Sequence, residues 1–149
     1  MKVKAGEKLP DFRGRNQDGK EISSGDYRGK KLVIYFYPKD DTPGCTAESC
    51  NLRDNYKQLQ KAGYEILGIS SDDEKSHQKF IKKFNLPFPL IADTDKSIHE
   101  KFGTWVEKNK YGRKYMGTAR TTFIVDEKGI IEEIIDKVDT NDHTSQILK

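Results

Sequence analysis

Cysteine is scarce in this chain. Two occur among 149 residues, too few for a disulfide-stapled scaffold or for a structural zinc site with four thiolate ligands. The three histidines, His77, His99 and His143, are scattered without a short metal-ligand spacing, so they read as ordinary surface residues and no metal is expected. Long hydrophobic runs are missing too. No stretch approaches the roughly 18 apolar residues of a membrane span, and Met1 to Gly6 has no apolar run after its lysines, so it does not read as a secretory signal. The expectation is a soluble cytoplasmic protein with no membrane partner. Its cysteines are then reduced at rest, and any disulfide between them is transient or catalytic. Nor is there an excess of one charge: 27 basic residues against 24 acidic ones leave a net charge of +3. The densest basic cluster, Lys108, Lys110, Arg113 and Lys114, reads as a solvated loop. No basic stripe interleaved with aromatics appears, so no nucleic-acid partner is expected.

Apolar clusters nonetheless recur at regular intervals, which argues for a packed domain over residues 1–149 and against disorder. No repeat or linker divides the chain. The first segment, to about Lys31, is punctuated by glycines and reads as loop, with a small hairpin joining Leu9–Phe12 to Glu21–Ser23. Lys31–Tyr37 is short, β-branched and aromatic, and it stops at Pro38, as a buried central strand does. A helix is predicted over Pro43–Ala62, with Thr42 as N-cap, Pro43 in the first turn and Gly63 as the stop. Strand Tyr64–Ser70, helix Ser71–Asn85, strand Leu90–Ala92 and helix Lys96–Phe102 follow. A hairpin of Thr121–Asp126 with Ile130–Ile135 and a last short helix from Asn141 complete the pattern. This alternation predicts an α/β three-layer α/β/α sandwich around a mixed central sheet, with an N-terminal hairpin as an addition. In such folds ligands sit beyond the C-terminal ends of strands, which is where Pro38 to Cys45 falls.

Both cysteines lie in that segment, five positions apart. With Thr42 as N-cap, Cys45 is the third helical residue. It sits among unpaired backbone N–H groups at the positive end of the helix dipole, and both favour thiolate over thiol. The bland alternative is a small buried hydrophobe. Thr42 is placed either to cap the helix or to hydrogen-bond a bound oxygen. Pro38 ends the strand and is placed to shield a thiolate from water. Glu48 is either a hydrogen-bonding support or an ordinary exposed carboxylate, and Tyr37 is a core candidate. Arg120, just ahead of an apolar strand, is either a surface residue or a cation that lowers a thiol pKa and holds developing negative charge. Five helical residues correspond to a rise of about 7.5 Å and a turn of about 500°. That puts the Cα atoms of Cys45 and Cys50 almost 9 Å apart by ideal geometry, beyond the reach of about 7 Å that a disulfide allows. If the two pair, the first helical turns must unwind.

Pro38, Thr42 and Cys45 form a Pro-x-x-x-Thr-x-x-Cys pattern, and Tyr37 to Cys50 contains Thr-Pro-Gly-Cys-Thr with a second cysteine five residues on. This resembles the peroxiredoxins, and within them the peroxiredoxin Q or bacterioferritin comigratory protein group. Ile66–Ser70, Pro89–Asp93, Phe102–Trp105 and Arg120–Asp126 extend the resemblance along nearly the whole chain. It implies a thioredoxin-like fold and a thiol-dependent peroxidase needing no metal or organic cofactor. It further implies that Cys45 is the peroxidatic cysteine, that Thr42, Arg120 and Pro38 build its pocket, and that Cys50 resolves the oxidised sulfur within the same chain. The implied partners are a hydroperoxide substrate and thioredoxin or a similar dithiol. A rival disulfide reductase would carry Cys-x-x-Cys, and a redox-sensing or chaperone-like module would use the same thiols without turnover. With no long hydrophobic face evident, a monomer is expected.

Overall fold

The computed structural model describes residues 2–149. Its centre is β3 (Lys31–Phe36). Leu32, Ile34 and Phe36 point into one apolar cluster, while Val33, Tyr35 and Tyr37 point into a second on the opposite face. A strand buried on both faces needs no polar alternation, which explains the unbroken apolar run. β3 pairs in parallel with β4 (Tyr64–Ser70), and β4 pairs in parallel with β5 (Leu90–Ala92). On the other side β3 pairs antiparallel with β8 (Thr121–Val125), which pairs antiparallel with β9 (Ile131–Ile135). The result is a mixed five-stranded sheet in the order β5-β4-β3-β8-β9.

Helices α1 (Pro43–Asp54), α2 (Tyr56–Lys61), α3 (Glu74–Phe84) and α5 (His143–Ile147) cover one face, through Leu52, Leu59, Phe80 and Ile147. The other face is covered by Ile98 and Phe102 of α4 (Ser97–Phe102) and by Phe12 and Ile22 from the N-terminal segment. This is the expected three-layer arrangement. Gly68 in β4 is needed for close approach: a Cβ there would lie 2.9 Å from the Tyr35 ring and 2.6 Å from Leu90. No helix is long and apolar enough to cross a membrane among the described residues.

Four expectations need correction. The N-terminal hairpin pairs β1 (Arg13–Arg15), not Leu9–Phe12, with β2 (Glu21–Ser23). Phe12 is instead drawn into the core. The long helix is broken at Asn55, whose side-chain amide donates to Asn51 O at 2.8 Å and competes with the backbone for that carbonyl. The basic cluster is no loop: it sits on a hairpin of β6 (Trp105–Lys110) and β7 (Arg113–Thr118). The histidines are not surface residues, since all three are sealed from solvent. Each is held by a side-chain hydrogen bond that a sequence does not display. His77 Nδ1 meets Asp40 Oδ2 at 2.7 Å, His99 Nδ1 meets Asp93 Oδ2 at 2.6 Å, and His143 Nε2 meets Thr122 Oγ1 at 2.8 Å.

Candidate active site

The site begins where β3 stops. Tyr37 N–H still donates to Ile69 O, holding the chain against β4, and half-buried Pro38 then turns it out of the sheet. Asp40 anchors the loop from below. Its carboxylate accepts from Tyr37 Oη at 2.6 Å and Ser76 Oγ at 2.8 Å and meets His77 Nδ1, while its own N–H donates to Asp72 Oδ2 at 2.8 Å. Asp41 takes a left-handed conformation, φ 56°, and Thr42 returns to an extended one that starts α1. Thr46 N–H closes the first helical bond onto Thr42 O at 2.8 Å. Cys45 is therefore the third helical residue, as expected, ahead of the first repeating bonds.

Thr42 caps through its backbone alone. Its hydroxyl donates to Lys39 O at 2.8 Å and makes no bond to a helical N–H. The hydroxyl proton is thus engaged, and the lone pairs are left free to accept.

Cys45 Sγ is buried, with 1% of the residue exposed. Arg120 Nη2 lies 3.4 Å from it, and Arg120 Nη1 donates to Glu48 Oε1 at 2.8 Å. The guanidinium, carried just ahead of β8, thus bridges the sulfur and a carboxyl 72 residues away in sequence, both of them on α1. Arg120 is not a surface arginine, and Glu48 is not an exposed helix carboxylate: its side chain is completely buried. Burial pushes the Glu48 carboxyl up to about 7, against the lowering effect of Arg120. Burial also opposes the charge of Arg120, but Cys45 and Glu48 outweigh it and the guanidinium is held more firmly protonated than usual. Gly44 leaves room for this bridge, because a Cβ there would stand 3.1 Å from Arg120 Nη2.

Cys50 is free and half-buried on the same unbroken helix, and burial pushes its thiol up. Both cysteines lie within α1, so the separation of nearly 9 Å from ideal helical geometry applies. Pro38 and Thr42 lie on the loop and Cys45 and Cys50 on α1, and Arg120, just ahead of β8, reaches Cys45 and Glu48. Two contributors escaped the sequence reading. Lys108 of β6 lies close enough to Arg120 and Cys45 to feel both charges. His143 of α5 stands 3.5 Å from Glu48 Oε2.

Residues 5–134 match the family model described as AhpC/TSA. The chain belongs to the AhpC/TSA family. Within it, the chain falls in the peroxiredoxin Q and bacterioferritin comigratory protein group. It is 47% identical to a putative peroxiredoxin Bcp of Coxiella burnetii, over 99% of this chain and 98% of that one. It is 39% identical to the peroxiredoxin Bcp of Bacillus subtilis, over 100% and 95%. Among solved structures, the bacterioferritin comigratory protein of Xanthomonas campestris, studied for alkyl peroxide reduction, superposes with a TM-score of 0.89 at 36% identity, covering 97% and 95%. The fold is thioredoxin-like, and the sequence resemblance to peroxiredoxins holds over the full chain.

Proposed function

We propose that this chain is a one-domain thiol peroxidase that reduces hydrogen peroxide and organic hydroperoxides, with Cys45 as nucleophile and Cys50 as resolving thiol. The observation that carries the reading is the bridge of Arg120 between Cys45 Sγ and Glu48. A cation fixed against a sulfur at a helix N-terminus favours the thiolate, and the thiolate is the attacking form. The alkyl peroxide reduction studied in the Xanthomonas relative supports the same substrate class.

The chemistry follows from the groups present. The Cys45 thiolate attacks one peroxide oxygen, the O–O bond breaks, and the other oxygen leaves as alkoxide or hydroxide and takes up a proton. Sulfur is oxidised to the sulfenic acid and the peroxide is reduced to an alcohol or water. Arg120 holds the charge that develops on oxygen. The free lone pairs of Thr42 Oγ1 accept from the peroxide O–H. Pro38, lacking an N–H, shields the sulfur from water. The turns of α1 between the cysteines then unwind, and the Cys50 sulfur displaces water from the sulfenic sulfur to form the disulfide. Thioredoxin or a similar dithiol restores both thiols by exchange and is itself oxidised.

The cycle requires reduced thiols at rest, which suits the cytoplasm. A monomer is favoured, because among the described residues the exposed large hydrophobics are Tyr111, Tyr115 and Met116, all on the β6–β7 hairpin.

The test is stopped-flow mixing of the reduced protein with hydrogen peroxide, followed by mass analysis. Rapid consumption of one equivalent with loss of two hydrogens across Cys45 and Cys50 is expected, and Cys45→Ser abolishes turnover. Oxidation no faster than that of a free thiol, or turnover by Cys45→Ser, would remove the reading.

A further inference from the structure

Glu48 presents an anomaly. Its Oε1 is paired with Arg120, but its Oε2 is buried and has no hydrogen-bond partner. Such atoms are rare in folded proteins and call for a physical reason. Facing Oε2 at 3.5 Å is Nε2 of His143, and both side chains are sealed from solvent.

The tautomer of His143 is fixed by its neighbours. Gln146 Nε2 donates to Lys137 O at 2.9 Å, and Gln146 Oε1 accepts from Asp139 N–H at 2.9 Å, so the amide has one orientation. The same Oε1 lies 2.7 Å from His143 Nδ1. Oxygen there only accepts, so Nδ1 carries the proton. That leaves a lone pair on Nε2, which takes the Thr122 hydroxyl at 2.8 Å. An ionised Oε2 facing this lone pair would be repelled. A proton on Oε2 removes that repulsion and turns the oxygen into a donor facing Nε2, beside the Thr122 hydroxyl. Burial acts in the same direction on each group, pushing the Glu48 carboxyl up to about 7 and the His143 imidazole down.

We propose that Glu48 holds a proton on Oε2, directed at His143 Nε2, and that this makes His143 a positioning residue for the reactivity of Cys45. While the proton is held, the pair has no net charge, and Arg120 directs its whole charge at the sulfur. When it is lost, the Glu48 carboxylate competes with Cys45 for the guanidinium. The other charged groups facing this cluster are Lys108 of β6, toward Arg120 and Cys45, and Asp139 in the loop leading to α5. The link from α5 to the sulfur runs His143, Glu48, Arg120, Cys45, and it rests on the thiol-peroxidase reading only for its effect on turnover.

The experiment uses ultraviolet thiolate absorbance of Cys45 against pH in the full chain carrying Cys50→Ser. In His143→Gln the new amide reaches the place of Nε2 and donates to Glu48 Oε2, which stabilises the carboxylate. The thiolate profile moves to higher pH, with about a tenfold loss of thiolate on its acid side for a displacement of one pH unit. In a Glu48→Gln background, which cannot ionise, the same His143→Gln change leaves the profile in place. An equal displacement in both backgrounds would assign His143 a merely structural role, and no displacement in the Glu48 background would remove the proposal. Nitrogen NMR of the unaltered protein serves as a second arm, independent of how the variants fold. It should find neutral His143 protonated at Nδ1; protonation at Nε2 in the neutral form would overturn the assignment. Neither measurement uses peroxide. A protein that fails to consume peroxide therefore sinks the peroxidase reading and leaves the proton pair standing, and the reverse holds as well.

Discussion

Glu48→Gln should make the fold more stable at neutral pH, although it alters a residue at the centre of the site. The folded protein holds the Glu48 proton up to about pH 7, whereas an unperturbed carboxyl releases it near 4.5. Between those values the unfolded chain binds fewer protons than the folded one, so stability falls as pH rises. The contribution is fully present below 4.5 and has been lost once pH passes about 7. Its size is about 3 kcal/mol, from the gap between the two values at about 1.4 kcal/mol per unit. Glutamine removes the titration. Its oxygen still accepts from Arg120 Nη1, and its amide nitrogen, in place of the orphaned Oε2, faces His143 Nε2 as a donor beside the Thr122 hydroxyl. Above pH 7 the variant is therefore more stable by up to about 3 kcal/mol, or roughly 6–12 °C in melting temperature for a chain of this size. Below 4.5 the two proteins converge. Urea unfolding followed by Trp105 fluorescence at a series of pH values reads the difference directly. Parallel curves across the range would refute the reasoning, because they would mean that Arg120 keeps Glu48 ionised in the fold as in the unfolded chain.

Two further changes separate the roles within the site. Cys50→Ser should leave peroxide attack intact and accumulate the Cys45 sulfenic acid, seen as one added oxygen by mass; sustained turnover with thioredoxin would point to another resolving thiol. Arg120→Lys replaces a planar fork that spans Sγ and Glu48 with a single ammonium that serves one of them. The second-order rate with hydrogen peroxide should fall by about 10²-fold, the scale of losing one oxyanion donor, and a change under threefold would show that the bridge is dispensable.

The parts of this molecule that a sequence displays are those set by local physics. The β3 run is legible because both of its faces are buried, and the start of α1 because Thr42 and Pro43 are typical of a helix entry. The β6–β7 hairpin was missed because it pairs only with itself and most of its residues are exposed, so no alternation of apolar residues marks it. The one available signal was its two-residue turn: Tyr111 and Gly112 both take positive φ, 53° and 76°, as a tight hairpin requires. The place of Cys45 at the start of α1 was legible, and the groups around it were not. Cys45 declares itself by its place after Thr42 and Pro43, whereas the Arg120–Glu48 bond spans 72 residues and the His77–Asp40 bond 37. A polar group goes inside only with partners, and those of His77 and His143 lie 37 and 21 positions away, at Asp40 and Thr122.

The helix that sets Cys45 at its start, beside Arg120, also keeps it from Cys50, and the proposed disulfide requires that helix to open. Three ties hold α1 near its cysteines. Glu48 bonds Arg120, Ser49 Oγ meets Tyr35 Oη at 2.9 Å, and Asn51 Oδ1 accepts the N–H and hydroxyl of Thr144 at 2.8 and 2.7 Å. The last pins α1 to α5 just beyond Cys50, so unwinding is confined to the turns from Pro43 onward and must break the first two ties. It also carries Glu48 into water, where the carboxyl returns toward 4.5 and releases its proton. Opening is therefore coupled to proton release, and its free energy falls by up to about 3 kcal/mol as pH climbs from 4.5 to 7. The conversion of sulfenic acid to disulfide should accelerate over that interval by as much as about a hundredfold, if opening limits it. Single-turnover mixing with peroxide, sampled by mass, measures that step. Glu48→Gln should flatten its pH dependence below 7, leaving only the rise at higher pH that ionisation of Cys50 produces in both proteins. The same steep dependence in the variant would show that the proton comes from another group and that Glu48 does not govern the opening.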